Sequence, residues 1–338
     1  MNHWKLKGVW ISNKGKEQLQ KLSIENVKSI AVIRHAALGD MILTRNFLIE
    51  AKKLFPNAKI TLSVVSNYTR GVPSDLIDVL HTISLNDKNK NNIAHLVRSS
   101  KELGDHDLIF DLATTSRSIW LCKLNKAKLK IGFPYRVPYR HLFYDITVPR
   151  SDVNFEADDM LSLLKPFGLK ISYPLKFNTP GEPNIREKPY VLYFTSASIP
   201  DKCWPAENFA ELIKLMSESF PDHDHLILKG VKDWESIDSI IDKLKTVQNV
   251  FPLDLISSVE DLISFVKGAR LVVSNDTSIR NIAIVCEVPS VGIFFLTPPF
   301  RYQSQNPIHK VVYESDCSIP AVLEVFKASQ ALLDNKEN

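Results

Sequence analysis

At 338 residues the chain exceeds the roughly 250 to 300 residues at which one core gives way to two, so two domains of ordinary size are expected. With 44% hydrophobic and 24% charged residues it reads as globular, and it shows neither a leader pattern nor an uncharged apolar run long enough to span a bilayer, so a cytoplasmic location is expected. Cys122, Cys203, Cys286 and Cys317 form no C-x-x-C pair, which argues against a zinc knuckle or disulfide framework, and a net charge of +4 without a recognised binding motif argues against a nucleic-acid partner.

Residues 1–28 read as a Lys-rich peripheral extension carrying Trp4 and Trp10. From Ser29 a regular alternation begins: strand 29–34, helix 39–54, strand "KITLSVV", a short helix near Ser74–Leu80, strand "HTISL", and a helix near 92–103. Strand "DLIFDL", a short helix near Ser118, strand "KLKIGF" and a helix around 157–164 complete a first domain over 29–173. Strands alternating with helices of this length imply a parallel sheet covered on both faces. Pro174, Pro180, Pro183 and Pro189 punctuate residues 174–189, expected to be an interdomain linker. A second alternation fills 190–318: "YVLYF", helix 205–219, "HLILKG", helix 233–245, "NVFPL", helix 258–268, "RLVVSN", helix 277–286 and "SVGIFF". A final helix at 319–333 lies within the C-terminal stretch 319–338. Two doubly wound α/β domains facing a central cleft are therefore expected, and such sheets bind ligands at the carboxyl ends of their strands.

Absences narrow the chemistry. Neither G-x-G-x-x-G nor G-x-x-x-x-G-K-[ST] occurs among the 11 glycines, so the phosphate loops of ordinary dinucleotide folds and P-loop NTPases are missing. The run Asp222–His225 lacks same-face ligand spacing, and Asp158 with Asp159 sits at a helix start, where acids are ordinary, so no metal site is expected.

Four strand-to-helix turns carry candidate chemistry. In "RHAALGDMILT", Gly39 permits close approach of a ligand, and Asp40 falls in the first helical turn, either as a cap or as a base toward an acceptor hydroxyl. In "SNDTSIRNIA", Asp276 is read as the helix cap, with the amides of Thr277 and Ser278 forming an anion site. Arg280 is unusual in that first turn unless an anion lies nearby; a solvated arginine beside ordinary capping is the plainer reading. "FTSASIPDKCWP" offers Ser196, Ser198 and the point charge of Lys202, while Trp204 and Pro205 fix the turn by packing. "TPPFRYQSQNP" places Thr297, Arg301 and Tyr302 after a late strand. Between Arg117 and Arg150 eight Lys or Arg stand against one acid, Asp145, with aromatics interleaved, as would suit a phosphorylated ligand, an anionic membrane surface, nucleic acid or merely a solvated face.

These elements together resemble glycosyltransferase family 9, the ADP-heptose:lipopolysaccharide heptosyltransferases, over about residues 30–330. "RHAALGDMILT" is similar to the family's Leu-Gly-Asp motif, "DKCWPAENFAEL" to its Lys-x-Trp-Pro element, and "VVSNDTSIRNIAIVCEVPSVGIFF" to its Asp-Thr-Gly-x-x-His-x-Ala signature; "FDLATTSRSIWLCKLNKAKLKIGF" resembles its middle segment. The resemblance implies the GT-B fold and inverting, metal-independent sugar transfer without a cofactor, with Asp40 as general base. Ser196, Ser198, Lys202, Asp276, Thr277 and Ser278 would hold the donor, ADP-heptose or another nucleotide diphosphate sugar. Gly39, Arg117, Arg136 and Arg140 would meet a lipid-linked or phosphorylated saccharide acceptor, with any membrane contact peripheral and electrostatic. Ser278 and Asn281 replace the signature's glycine and histidine, and Arg280 is expected to supply the donor group thereby lost. A relative that binds a nucleotide or glycan without turnover is the competing expectation.

Overall fold

The computed structural model describes residues 10–84, 92–133 and 143–334. The chain divides into two compact units between Ser172 and Tyr173.

The first unit contains β1 (Trp10–Ile11), α1 (Asn13–Lys21), β2 (Ser29–Ile33), α2 (Leu38–Ile42), α3 (Thr44–Leu54), β3 (Lys59–Val65) and β4 (Val79–Ile83). It continues with α4 (Ile93–Leu103), β5 (Leu108–Asp111), α5 (Ser116–Leu124), β6 (Leu129–Gly132), β7 (Ile146–Thr147) and α6 (Glu156–Ser162). Among the described residues the sheet runs β1-β7-β6-β5-β2-β3-β4, parallel except where β1 meets β7. "SIAVI" and "LIFD" are almost wholly buried because helices cover both faces of the sheet, so these strands read as apolar runs rather than alternations. Edge-to-face contacts among Phe47, Phe55, Phe110 and Phe167, with centroids 5.4–5.8 Å apart, fill one face. Ile119, Leu121 and Cys122 of α5 help fill another cluster with Ile33 and Ile109.

The second unit contains β8 (Tyr190–Phe194), α7 (Ala206–Ser219), β9 (Asp224–Leu228), α8 (Asp238–Lys243), β10 (Val250–Leu253) and α9 (Val259–Gly268). β11 (Leu271–Asn275), α10 (Ser278–Val285), β12 (Ser290–Ile293), β13 (His309–Val312) and α11 (Val322–Asp334) follow. Its sheet, all parallel, runs β10-β9-β8-β11-β12-β13.

Both sheets share one topological property that positions function. In the first, β2 leads outward to β3 and β4 while β5 leads the other way to β6 and β7; in the second, β8 and β11 diverge likewise. Loops leaving such a neighbouring pair part company and open a crevice at the carboxyl ends of the strands. The turn after β2 holds Asp40 and the turn after β5 holds Arg117; the turns after β8 and β11 hold Lys202 and Asp276.

Several expected boundaries change. The start of the chain is no appendage from residue 10 onward: Trp10 and Ile11 pair with Thr147 and Ile146, and the Ser12 amide donates to the Asp145 carbonyl at 2.9 Å. The expected helix 39–54 is two helices meeting at Leu43. Residues 174–189 lie within the second unit, where Lys267 Nζ donates to the carbonyls of Thr179 and Gly181 at 2.6 Å and Thr179 Oγ1 donates to the Val285 carbonyl at 2.6 Å. The helix expected over 233–245 is a 3-10 turn at Asp233–Glu235 followed by the shorter α8.

Candidate active site

In the first unit, β2 is followed at once by Arg34, whose side chain is buried and acts as a strap. Its Nη1 donates to the Leu112 carbonyl and to Glu156 Oε1, each at 3.1 Å, and its Nη2 donates to the Asp40 carbonyl at 3.0 Å. One guanidinium thus joins the turn after β2 to the turn after β5. Glu156, itself 1% exposed, also takes Arg150 Nη2 on both oxygens at 2.9 and 2.8 Å. Such an Arg–Glu–Arg triad satisfies charges that would be costly to bury alone. Arg150 Nη1 reaches Thr114 Oγ1 at 3.1 Å, and Thr114 stands at φ 52°, the left-handed region that a threonine rarely enters. The Asp111 carboxylate holds that turn by accepting the amides of Ala113 and Thr114, each at 3.0 Å.

Asp40 lies in the first turn of α2, whose N-cap position is held by Ala37, so Asp40 is not the N-cap residue. Gly39 beside it is buried. Arg117 occupies the first turn of α5, where no acid accompanies it, and it is partly buried with its pKa lowered by desolvation. His35, in the turn between Arg34 and Asp40, has both ring nitrogens buried without a hydrogen-bond partner. Burial, reinforced by Arg117, His81 and Arg34, pushes its pKa down to about 3, so it is a neutral imidazole at physiological pH. Arg136 and Arg140 lie outside the described residues.

In the second unit two adjacent residues at the end of β11 divide the work. Asn275, fully buried, turns inward: its Nδ2 donates to the carbonyls of Thr195 and Ser196 at 2.8 and 3.3 Å, and its Oδ1 accepts the Trp204 amide at 3.0 Å. That amide arrangement fixes the turn after β8 against the turn after β11. Asp276 accepts Lys202 Nζ at 2.8 Å and Thr297 Oγ1 at 2.6 Å, so side chains from three different turns meet at one carboxylate oxygen. Lys202 and Asp276 are 20% and 16% exposed, partly open to solvent.

Asp276 is therefore not the helix cap. Thr277 holds the N-cap position of α10 without a side-chain cap bond, and its Oγ1 is buried with no partner. The amides that open α10 remain outside its internal hydrogen-bond ladder and, with the helix dipole, favour an anion. Ser278 is half-buried and Asn281 is buried. Ser196 is buried, with Oγ donating to the Glu235 carbonyl at 3.4 Å, while Ser198 is exposed. Arg280 is not a solvated arginine: it is 1% exposed, lies against the Phe294 ring with 5.3 Å to the centroid, and donates from Nη1 to the Tyr302 carbonyl. Burial lowers its pKa to about 10, still protonated at neutral pH, and its Nε and Nη2 have no partner.

Of Asp158 and Asp159, read as acids at a helix start, Asp159 is buried, accepting the Ser151 amide at 3.2 Å and Asn154 Nδ2 at 3.3 Å. His225, from the Asp222–His225 run, is committed to Tyr193, its Nδ1 lying 2.9 Å from the phenol oxygen. Arg34, His35, Glu156 and Asn275 were not singled out by the sequence. An arginine directly before the Leu-Gly-Asp turn and an asparagine before Asp276 were the available signals.

The glycosyltransferase family 9 (heptosyltransferase) model matches residues 96–320. Lipopolysaccharide heptosyltransferase 1 of Campylobacter coli is 26% identical over 308 residues, covering 84% of this chain and 88% of that protein. Among solved structures, a family 9 glycosyl transferase from Veillonella parvula superposes with a TM-score of 0.72 at 19% identity, covering 93% of this chain and 99% of that one. The E. coli heptosyltransferase WaaC with ADP gives a TM-score of 0.72 at 17% identity, covering 90% and 99%. The fold is thus the GT-B fold of two doubly wound units, and the chain belongs to glycosyltransferase family 9 and is a glycosyltransferase.

Proposed function

We propose that the chain transfers a heptose, with inversion, from ADP-heptose or a related nucleoside diphosphate sugar to a lipopolysaccharide core saccharide. The observation that carries this reading is the chemical contrast between the two crevices: a carboxylate, Asp40, with the cation Arg117 at one, and the Lys202–Asp276–Thr297 cluster beside the start of α10 at the other. The similarity to Lipopolysaccharide heptosyltransferase 1 and to structures holding ADP and ADP-2-deoxy-2-fluoro heptose supports the donor and acceptor classes.

In this mechanism Asp40 takes the proton of the acceptor hydroxyl as the hydroxyl oxygen attacks the anomeric carbon. The bond from that carbon to the diphosphate oxygen breaks, and the nucleoside diphosphate leaves with the electron pair. Charge growing on the leaving oxygen is met by Lys202 and by the amides of Thr277 and Ser278, so protein groups supply the stabilisation without a metal or cofactor. Ser196 is held to the Glu235 carbonyl and acts by shaping the turn, while the exposed Ser198 remains available to the donor. Arg280 serves the donor from beneath, anchoring the Tyr302 loop beside the Thr297 turn. Arg117, with the neutral imidazole of His35, receives the anionic part of the acceptor.

The test is Asp40→Asn. Turnover of ADP-heptose with heptose-free lipopolysaccharide core is expected to fall by about 10²- to 10⁴-fold, the usual worth of a positioned base. The rise in melting temperature caused by ADP-heptose is expected to persist, because donor binding uses the other unit. Wild-type turnover that survives Asp40→Asn sinks the mechanism. Donor binding with no turnover in wild type, on any core saccharide, leaves a silent binder.

A further inference from the structure

The turn after β9 presents a tryptophan to solvent from a rigid mount. Trp234 lies in the 3-10 turn Asp233–Glu235 and is 49% exposed, and Val231 at the start of the same turn is 71% exposed. Glu235, by contrast, is buried. Its Oε2 accepts the amides of Val231 and Lys232 at 2.6 and 2.9 Å, and its own amide donates to the Lys232 carbonyl at 2.8 Å. Charge-assisted bonds of this kind hold the backbone under the indole in one place.

Two bonds tie this turn to the one that carries Lys202. Ser196 Oγ donates to the Glu235 carbonyl at 3.4 Å, and Lys232 Nζ donates to the Ser198 carbonyl at 3.1 Å. The Lys232 ammonium also lies 4.5 Å from the Trp234 ring centroid, a cation–π contact that orients the indole against the turn after β8. The strand order β9-β8-β11-β12 then sets the order of groups across the carboxyl ends of the sheet. Lys202, Asp276 and Thr297, from the turns after β8, β11 and β12, meet in one cluster, and Trp234 follows on the β9 side. On the β12 side the exposed aromatic is already packed: Phe300 is set edge-on to Tyr313, centroids 6.1 Å apart.

A nucleoside diphosphate sugar carries its phosphates in the middle, with base and sugar at opposite ends. With the phosphates at Lys202 and the start of α10, one end of the donor runs out past the cluster. A sugar's hydroxyls ask for polar partners around them, whereas Val231 and Trp234 offer flat apolar surface of the kind on which a base stacks. We propose that Trp234 is the platform for the donor's nucleobase, and so a residue that sets which nucleotides the second unit takes; this rests on the donor site of the proposed function. The platform reads ring area rather than the hydrogen-bonding edge of the base. A purine covers more of the indole than a pyrimidine does, so ADP should bind more tightly than UDP.

The test is calorimetric titration of the full chain with ADP, UDP, ADP-heptose and inorganic pyrophosphate. Trp234→Ala should weaken ADP and ADP-heptose by about tenfold or more, the usual worth of one stacked base, and narrow the gap between ADP and UDP. Pyrophosphate, which has no base, should bind the variant as it binds the wild type. Trp234→Phe should recover most of the ADP affinity while losing the quenching of tryptophan emission that ADP causes in the wild type. Both variants should melt with the wild type, since the side chain is half exposed. Unchanged ADP affinity in Trp234→Ala overturns the proposal. An equal loss for pyrophosphate overturns it in favour of a collapsed turn, and a loss confined to ADP-heptose overturns it in favour of a contact with the sugar. Wild type that binds ADP through Trp234 yet transfers no sugar keeps this result and sinks the transferase reading. Wild type that transfers sugar with Trp234→Ala binding ADP equally well does the reverse.

Discussion

The crevice of the first unit and that of the second solve the same topological problem with opposite electrostatics. At the first, Arg34 acts on main-chain carbonyls from inside the protein, and its partner Glu156 shares a second buried arginine, Arg150. At the second, a partly exposed lysine meets a partly exposed aspartate. Buried charges that have lost a partner cost several kcal/mol, whereas exposed pairs contribute from nothing to about 1 kcal/mol. The difference suits the two tasks we propose for these turns: a base needs a backbone that does not move, and a lysine that meets a leaving group needs a partner it can exchange for phosphate. Lys202 rests on Asp276 without being committed to it.

The sharpest way to break this comparison is Glu156→Gln. It leaves Arg34 and Arg150 buried with a neutral partner and should cost about 3–5 kcal/mol in urea unfolding. A loss under about 1 kcal/mol would mean that the strap is ornamental. Lys202→Ala should do the reverse. We expect kcat to fall by about 10²- to 10³-fold for loss of one preorganised electrostatic contact, with stability changed by no more than about 1 kcal/mol. An equal loss of stability would place Lys202 in the scaffold rather than the chemistry.

Acidification tests the buried imidazoles. Burial holds His225 near pKa 4 and both His35 and His309 near 3, well under the ordinary value of 6.5. Below that ordinary value the unfolded chain takes up protons that the folded chain refuses, so stability falls as pH drops. From pH 7 to pH 5 each should cost about 2 kcal/mol, read from urea midpoints, and His309→Gln should flatten the dependence of the second unit. The smallest effect is expected at Gly292. A methyl there would run into the Arg280 side chain, and Gly292→Ala should cost about 1 kcal/mol and loosen the loop that Arg280 holds. If donor affinity stayed unchanged in that variant, the role of Arg280 beneath the donor would be lost.

Much of this was legible in one dimension. The strand runs "SIAVI", "LIFD", "YVLYF" and "LVVSN" stand where apolar composition put them, because sheets covered on both faces leave little room for polar residues in their central strands. The turns carrying Asp40, Lys202 and Asp276 were legible for a related reason: a doubly wound sheet concentrates its chemistry at strand ends. What the residues alone concealed depends on distant neighbours. Arg34 owes its role to Leu112 and Glu156, 78 and 122 residues away. The burial of Arg280 depends on Gly292, Phe294 and the Tyr302 carbonyl. Asp276 looked like a cap because an aspartate before a helix usually is one; Lys202 and Thr297 outcompete the helix amides for its oxygen. β1, two residues long, is too short for any periodicity. Proline spacing suggested an interdomain linker at 174–189, and only the contacts to Lys267 and Val285 show these residues held within the second unit.

That short β1 also sets a clock. A ribosome delivers Trp10 well before its partner Thr147, which comes 137 positions later. During synthesis the strand must wait, unpaired, while the parallel core assembles, and closing so long a loop is slow even though its entropic cost grows only logarithmically with length. When it does close, it covers the outer edge of β7, whose exposed amides and carbonyls would otherwise invite a strand from a neighbouring nascent chain. A strand made before the sheet it joins thus serves as that sheet's finishing seal.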